Sequence, residues 1–294
     1  MRRFTLRSAV GETTGIAFGT EGSPDLVFLH ATGFNALTYR SLLAPLGQDF
    51  RVVALDLRGH GLSPLPADPD AMDTWRIYPR DFLRMLPALM QGGAPPVLAG
   101  HSMGGATVLT ATAAKPGIAE RLVLLDPVLA TLDAVRRAQR IPGLAQRIPR
   151  LPIAQGAARR RAEFASKQEA AGAYRGRAIF ASWADPFVDD YVEDGFVPDP
   201  HNGVTLACAP QWEAATFAGL RHYAAPLLAR VKCPVTILKA ASEAAVRVDD
   251  ALLRRFKPDV AIETVPDSSH FLPMEQPDLV RMRLRAALET RAGR

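Results

Sequence analysis

Residues 96–105 have the sequence PVLAGHSMGG, and this stretch decides the fold. Its first half is an apolar run typical of a buried strand, and Gly104-Gly105-Ala106 opens a helix. Between them stands Ser102 in the pattern Gly-x-Ser-x-Gly, the nucleophile elbow, which places a serine on a sharp strand-to-helix turn. Gly100 and Gly104 have no Cβ, so backbone can crowd around the serine. The pattern predicts that the Ser102 hydroxyl projects from the carboxyl end of a sheet, at the positive end of a helix dipole.

Short apolar runs on both sides of the elbow predict the other strands of this sheet. They fall at residues 26–29, 51–55, 122–125, 235–238 and 261–265, and residues 4–18 have the pattern of a hairpin. Helical patterns lie between them, at residues 38–46, 74–90, 104–114, 249–256 and 277–290. Short buried strands that alternate with helices predict an α/β fold, with a mostly parallel central sheet flanked by helices.

The alternation stops after Pro127 and resumes near residue 231. Residues 128–230 are rich in Ala, Arg and aromatic residues, are interrupted by prolines and contain no clear buried-strand run. We therefore expect an α/β core made of residues 1–127 and 231–294, with residues 128–230 inserted into it as a separate unit.

Composition and charge argue against several classes of protein. The hydrophobic fraction of 48% and charged fraction of 22% are ordinary for a globular chain. The net charge of +5 is carried by arginines interspersed with acidic residues, which favours a solvated surface over a nucleic-acid partner. Cys208 and Cys233 have neither metal-ligand spacing nor a disulfide pattern. No run approaches membrane-spanning length, and no apolar segment follows the basic start, so we expect a cytoplasmic protein without membrane insertion.

The elbow serine requires a general base, and His270 is the best candidate among the six histidines. A serine hydroxyl is a weak nucleophile unless an adjacent base takes its proton, and histidine titrates in the suitable range. His270 follows the last predicted strand, where a loop would face Ser102. His101 has a packing role inside the elbow, and His30 and His60 lie in loops that shape the site. His201 and His222 are expected at a surface or in a pocket wall.

Two carboxylates could orient the base. Glu243 follows the predicted strand at 235–238 and precedes His270 at a suitable distance along the chain. Asp126 closes the strand that follows the elbow and could reach His270 from another direction, although an aspartate before proline is also a common structural cap. The sequence leaves this choice open.

Backbone amides are expected to hold the oxyanion of an acyl-transfer reaction. One amide is that of Met103, which follows the nucleophile. The second comes from the loop of residues 30–34, with Thr32 the best candidate; the alternative is that this loop is a plain strand-to-helix turn.

These motifs together resemble those of the α/β-hydrolase fold family, and in particular its lid-bearing serine hydrolases. The resemblance covers residues 26–127 and 231–277, and it rests on His30-Ala31-Thr32-Gly33, DLRGHGLS at residues 56–63, Gly100-His101-Ser102-Met103-Gly104-Gly105 and Ser269-His270-Phe271. Two departures are that Ala31 replaces the usual glycine and that the Gly…Asp turn expected near Glu243 is absent. The resemblance implies that residues 128–230 form a mostly helical cap over the active site, and it implies no cofactor and no metal.

A serine nucleophile favours a carboxylic ester, lactone, thioester or amide of a small molecule, cleaved through an acyl-enzyme. The alternatives are hydrolysis of a carbon–carbon bond, a perhydrolase on the same fold, and a non-catalytic ligand-binding protein. Candidate substrate-binding residues are Phe34, His101, Trp183, Trp212 and Phe271. Nothing in the sequence indicates the oligomeric state.

The inserted segment should set specificity. Its aromatic residues either line an apolar acyl pocket or pack its helices together; they are Phe180, Trp183, Tyr191, Trp212 and Phe217. Its arginines either bind an anionic substrate, such as a carboxylate or a coenzyme A thioester, or form a solvated helix face; they are Arg136, Arg137, Arg140, Arg147, Arg150, Arg159, Arg160 and Arg161.

Overall fold

The computed structural model describes residues 1–72, 74–130, 152–200, 203–219 and 225–292. Within them the strands are β1 (Arg2–Ser8), β2 (Gly11–Phe18), β3 (Leu26–Leu29), β4 (Val52–Leu55), β5 (Val97–His101), β6 (Arg121–Leu125), β7 (Glu163–Phe164), β8 (Phe196–Pro198), β9 (Val204–Leu206), β10 (Val235–Ala240) and β11 (Ala261–Val265). The α-helices are α1 (Arg40–Leu43), α2 (Ile77–Met90), α3 (Met103–Ala114), α4 (Pro152–Ala158), α5 (Lys167–Tyr174), α6 (Phe187–Gly195), α7 (Pro210–Ala218), α8 (Asp250–Phe256), α9 (Leu272–Glu275) and α10 (Pro277–Ala292).

Eight of these strands form one sheet in the order β1-β2-β4-β3-β5-β6-β10-β11. The pairings from β4 to β11 are parallel, and β1 and β2 are antiparallel to their neighbours. The predicted mostly parallel sheet is therefore confirmed, and so is the predicted hairpin. The order places β5 between β3 and β6. The loops that follow β3 and β6 consequently flank Ser102.

The sheet is covered on both faces, as its apolar strands require. Leu98 of β5 faces the side that holds α2 and α3, whereas Val97 and Ala99 face the side that holds α10. Alternate residues of a strand point to opposite faces, so a strand that is apolar throughout must be buried on both. β3, β4 and β5 are buried along their whole length.

The predicted helices differ from the structure mainly at their ends. The helix expected at residues 74–90 begins at Ile77, so Pro79 lies in its first turn, where a proline needs no intrahelical partner. The helix expected at residues 38–46 is divided into the 3₁₀ turn Ala36–Tyr39, α1 and the 3₁₀ turn Ala44–Gln48. Asn35 caps this segment by accepting a hydrogen bond from the Thr38 amide.

Residues 128–230, called here the inserted segment, lie between β6 and β10. Their described parts hold α4 to α7 and a small antiparallel sheet in the order β7-β9-β8. Strands of two or three residues are too short to produce the periodic pattern by which a strand is recognised in a sequence. The segment is tied to the core by hydrogen bonds from Trp75 Nε1 to the Thr216 carbonyl (2.6 Å) and from Asn35 Nδ2 to the Tyr191 carbonyl (3.0 Å).

Candidate active site

Ser102 occupies a strained turn between β5 and α3. Its backbone angles are φ 55° and ψ −115°, a conformation that non-glycine residues rarely adopt. A Cβ on Gly100 would lie 2.4 Å from the Gly104 carbonyl carbon, and a Cβ on Gly104 would lie 2.1 Å from the Leu29 carbonyl oxygen. Neither side chain fits, which confirms the close backbone packing predicted around the elbow.

The structure brings Ser102, His270 and Asp126 into one hydrogen-bonded line. The Ser102 Oγ lies 2.9 Å from His270 Nε2, and His270 Nδ1 lies 2.6 Å from Asp126 Oδ2. The carboxylate is fully buried, while the imidazole is partly accessible. Since an ionised carboxylate only accepts hydrogen bonds, Nδ1 carries the proton and Nε2 presents its lone pair to the serine hydroxyl.

Asp126, and not Glu243, is therefore the carboxylate that contacts the base. Asp126 also accepts hydrogen bonds from the amides of Ala240 (3.2 Å) and Ala245 (2.7 Å). The last residue of β10 and the loop after it thus supply amide donors to a carboxylate that follows β6. Glu243 is exposed and lines a separate groove of about 790 Å³, together with Asp267 and Glu275. Of the two carboxylates that the sequence left open, Glu243 is therefore the wrong candidate, because His270 Nδ1 pairs with Asp126.

The two residues whose amides are predicted to bind an oxyanion, Met103 and Thr32, are in side-chain contact. Met103 is the first residue of α3, and amides in the first turn of a helix have no intrahelical acceptor. The Thr32 hydroxyl contacts Met103 Sδ at 3.3 Å, which places the loop after β3 against the elbow. Thr32 and Ser102 both line the same pocket.

A buried hydrogen-bond chain connects this loop to the backbone of His270. The Ala31 amide donates to the Tyr39 hydroxyl (3.2 Å), and that hydroxyl lies 2.7 Å from His101 Nδ1. His101 Nε2 lies 2.8 Å from the His270 carbonyl, which can only accept, so Nε2 carries the proton. Burial and the nearby His270 lower the pKa of His101 well below its ordinary value, so its Nδ1 is free to accept from Tyr39. No sequence pattern points to Tyr39.

A pocket of about 580 Å³ opens over Ser102 and His270. Of the five candidate substrate-binding residues, Phe34 and Phe271 line it. The prediction is wrong for the other three, which do not line it: Trp183 packs edge-on against Phe34, the Trp212 indole donates to the Arg58 carbonyl, and His101 is buried behind the elbow. Phe180 and Phe217 line the pocket, whereas Tyr191 packs behind it.

The described arginines of the inserted segment have different surroundings. Arg160 lines the pocket, whereas Arg161 is exposed and pairs with Glu169 at 2.6 Å. Arg159 is exposed and does not line the pocket. Seven candidate residues lie outside the described residues: Arg136, Arg137, Arg140, Arg147, Arg150, His201 and His222.

The described residues contain no group of three or more His, Cys, Asp or Glu side chains arranged to hold a metal ion. In the same part of the chain, no helix combines the length and the apolar character that crossing a bilayer requires.

Three buried histidines predict a pH-dependent stability. Burial lowers the pKa of His60 to about 4, and it lowers those of His30 and His101 well below 6.5. Below pH 6.5 the unfolded chain binds protons that the folded chain does not, so each histidine reduces the free energy of unfolding by about 1.4 kcal/mol per pH unit. Asp56 opposes this effect, because burial raises its pKa to about 6.

We therefore expect the free energy of unfolding to fall by about 2 to 3 kcal/mol per pH unit near pH 5, the net effect of three histidines and one aspartate. Urea titrations at pH 7, 6 and 5 measure it. A stability that stays constant over this range would contradict the neutral state of the three buried histidines.

Comparisons with known proteins agree with this fold. The profile of the alpha/beta hydrolase family matches residues 26–283. The chain is 27% identical over 274 residues to the 2-(acetamidomethylene)succinate hydrolase of Mesorhizobium japonicum, with 87% of this chain and 84% of that protein covered.

Many solved structures share the fold, including the two described next. The crystal structure of E-2-(acetamidomethylene)succinate hydrolase has a TM-score of 0.76 at 21% identity, covering 96% of this chain and 98% of that one. A thioesterase domain from the curacin biosynthetic pathway has a TM-score of 0.78 at 18% identity, covering 97% and 99%. With the family profile matched from β3 into α10, the chain belongs to the alpha/beta hydrolase family.

Proposed function

We propose that this protein is a serine hydrolase that cleaves a carboxylic ester, lactone or thioester of a small molecule through an acyl-enzyme. The observation that carries the proposal is the line Ser102–His270–Asp126, with distances of 2.9 and 2.6 Å, at the base of a pocket with mostly apolar walls. A nucleophile, a base and an orienting carboxylate in this arrangement perform acyl transfer on several unrelated folds.

Each residue of the site has a role in the proposed reaction. His270 Nε2 takes the hydroxyl proton as Ser102 Oγ attacks the substrate carbonyl, and it then delivers that proton to the leaving group. Asp126 stays ionised and stabilises the imidazolium. The amides of Met103 and Thr32 hold the oxyanion, and each donor lowers the barrier by about 3 to 4 kcal/mol. Water attacks the acyl-enzyme with His270 again as the base.

The relatives support this range of substrates without narrowing it. The matched proteins include a hydrolase of a substituted succinate and a thioesterase domain. Both names describe hydrolysis, which agrees with a serine site of this geometry. We further propose that residues 128–230 form a cap over a core of residues 1–127 and 231–294, since α4, α5 and α7 line the pocket above Ser102.

A substrate screen tests the proposal. Purified protein is assayed with 4-nitrophenyl esters of increasing chain length, with lactones and with acyl thioesters. We expect turnover of at least one class, with an acyl-enzyme detectable by mass after rapid quenching. Turnover that requires hydrogen peroxide and a carboxylic acid would favour a perhydrolase, cleavage of a diketone alone would favour a carbon–carbon hydrolase, and binding without turnover would favour a non-catalytic protein.

Tyr39→Phe tests the buried hydrogen-bond chain. The variant keeps the ring but leaves the Ala31 amide and His101 Nδ1 without a partner, and each unpaired buried group costs about 1 to 3 kcal/mol. We expect kcat for an aryl ester to fall about tenfold with KM nearly unchanged, because the oxyanion loop and His270 lose a shared support. Urea unfolding reports the accompanying loss of stability.

Tyr78→Phe is the matched control, because Tyr78 is equally buried and its hydroxyl pairs with Thr216 Oγ1 at 2.9 Å, outside the hydrogen-bond chain from Ala31 to His270. It should lose stability and keep its kcat. Full kcat in Tyr39→Phe would show that the buried hydrogen-bond chain has a structural role only.

A further inference from the structure

Among the described residues of the inserted segment, two arginines line the pocket over Ser102, and their surroundings differ. The Arg160 guanidinium donates to Glu213 Oε2 at 2.7 Å and to the Tyr191 hydroxyl at 2.6 Å. Burial alone would lower the pKa of Arg160, but Tyr191 and Glu213 raise it above its ordinary value. The positive charge of Arg160 is thus compensated by a carboxylate of the same pocket.

Arg177 has no such compensation. It is exposed and lies directly before the 3₁₀ turn Ala178–Phe180, at the wall of the pocket. Within the described residues, no ion pair or side-chain hydrogen bond involves its guanidinium. Arg175, two residues earlier, is also exposed, but it forms an ion pair with Asp189 at 2.7 Å and does not line the pocket.

For the part of the chain that the structure describes, the charges around the pocket are therefore unbalanced. Among the described lining residues, Glu213 is the one carboxylate, and Arg160 binds it. A second groove shares the wall residues Ala178, Ile179 and Phe271 with this pocket. Its charge is negative, because Glu243, Asp267 and Glu275 line it. An anionic group on a bound substrate is attracted toward Arg177 and repelled from the groove.

The other residues that line the pocket indicate which part of a substrate lies between such an anion and Ser102. Phe34, Tyr174, Phe180 and Phe271 form the walls near Ser102, and Ile153 and Ile179 are exposed apolar residues of the same pocket. Apolar walls bind methylene groups, and a guanidinium binds a carboxylate with two parallel hydrogen bonds. An acyl chain with a charge at its far end satisfies both features.

We propose that Arg177 binds a carboxylate at the distal end of the acyl group, so that the substrates are monoesters or monothioesters of dicarboxylic acids. This inference rests on the proposed acyl-enzyme function for the position of the scissile carbonyl. Arg177 acts as a specificity-determining residue, and Arg160 holds Glu213 and the surrounding tyrosines in place.

The kinetic test compares two esters of nearly equal shape, 4-nitrophenyl pentanoate and mono-4-nitrophenyl glutarate, with succinate and adipate monoesters to vary the length. We expect kcat/KM of the wild-type protein to be about tenfold higher for the best anionic ester than for 4-nitrophenyl pentanoate, mainly through a lower KM. This is the size of effect that a partly solvated pair of opposite charges gives. Arg177→Gln should remove that preference, and Arg175→Gln should keep it. Raising the salt concentration should weaken it in the wild-type protein.

A binding measurement makes the inference independent of turnover. In the Ser102→Ala background, calorimetry should show tighter binding of the anionic ester than of the neutral one, and the double variant with Arg177→Gln should bind both alike. Equal affinities in the Ser102→Ala protein, or a preference that survives Arg177→Gln, would overturn the inference. A preference for esters whose leaving group, and not whose acyl group, carries the charge would overturn the proposed place of the carboxylate on the acyl side. Absence of turnover with every ester would instead count against the proposed function, and calorimetry would still decide the role of Arg177.

Discussion

Ser102→Ala is expected to lower kcat for any ester that the protein cleaves by about 10⁵-fold, because the attacking oxygen is lost and only the oxyanion donors and substrate binding remain. The change removes a single oxygen from a side chain whose one described hydrogen bond is with His270. We therefore expect the free energy of unfolding to change by less than about 1 kcal/mol. Steady-state kinetics and urea unfolding measure the two effects separately.

The control for this variant is Ser182→Ala, which removes an exposed hydroxyl hydrogen-bonded to Glu275 and should retain activity. Residual activity in Ser102→Ala above one hundredth of the wild-type value, confirmed with freshly purified protein, would contradict a serine nucleophile. Loss of activity that accompanies unfolding would be visible in the urea titration.

Asp126→Asn is expected to reduce kcat by about 10³- to 10⁴-fold, because an amide can present N–H to His270 Nδ1 and leave the wrong ring nitrogen protonated. Glu243→Gln should change kcat by less than about twofold, since an exposed side chain outside hydrogen-bond reach of His270 has little effect on it. The same aryl ester assay measures both variants, and the pH–rate profile of Asp126→Asn reports the altered base.

The comparison is a strict test, because Asp126 and Glu243 have the same chemistry and both lie at carboxyl ends of neighbouring strands. A large loss in Glu243→Gln together with full activity in Asp126→Asn would reverse the assignment. Since Asp126 also accepts amides from Ala240 and Ala245, Asp126→Asn should lose about 1 to 3 kcal/mol of stability, and its kinetics are measured where it remains folded.

The parts of the fold that the sequence predicts are those with a local signature. The buried strands are continuous apolar runs. The elbow combines a strand, a helix and two glycines, Gly100 and Gly104, at positions where a Cβ does not fit. The proximity of His270 and Ser102 is also predictable, because each follows a predicted strand and loops at the carboxyl ends of parallel strands meet at one edge of the sheet.

Identifying the carboxylate that orients His270 required the three-dimensional structure. Asp126 and Glu243 each follow a strand, β6 and β10, which are neighbours in the sheet. The choice depends on where the side chains point. The amides of Ala240, at the end of β10, and of Ala245, in the loop after it, donate to the Asp126 carboxylate. Sequence patterns record which residues follow a strand, and they do not record the direction of a side chain in the following loop.

The pocket residues were the least predictable from sequence. Trp183 and Phe180 lie three residues apart and contact each other, but only Phe180 lines the pocket. Arg160 and Arg161 are adjacent, but one is compensated by Glu213 and the other by Glu169. Two of these surroundings involve residues that are distant along the chain, Glu213 beside Arg160 and Phe34 beside Trp183. Composition alone could therefore not distinguish wall residues from packing residues.

Labelling with a fluorophosphonate tests the central claim most directly. The probe reacts with a serine activated by a neighbouring base and requires no knowledge of the substrate. We predict one covalent adduct per chain, located by peptide mass spectrometry on Ser102, absent in Ser102→Ala and strongly slowed in Asp126→Asn. An unlabelled wild-type protein, or an adduct on any other serine, would contradict the serine hydrolase proposed for this chain.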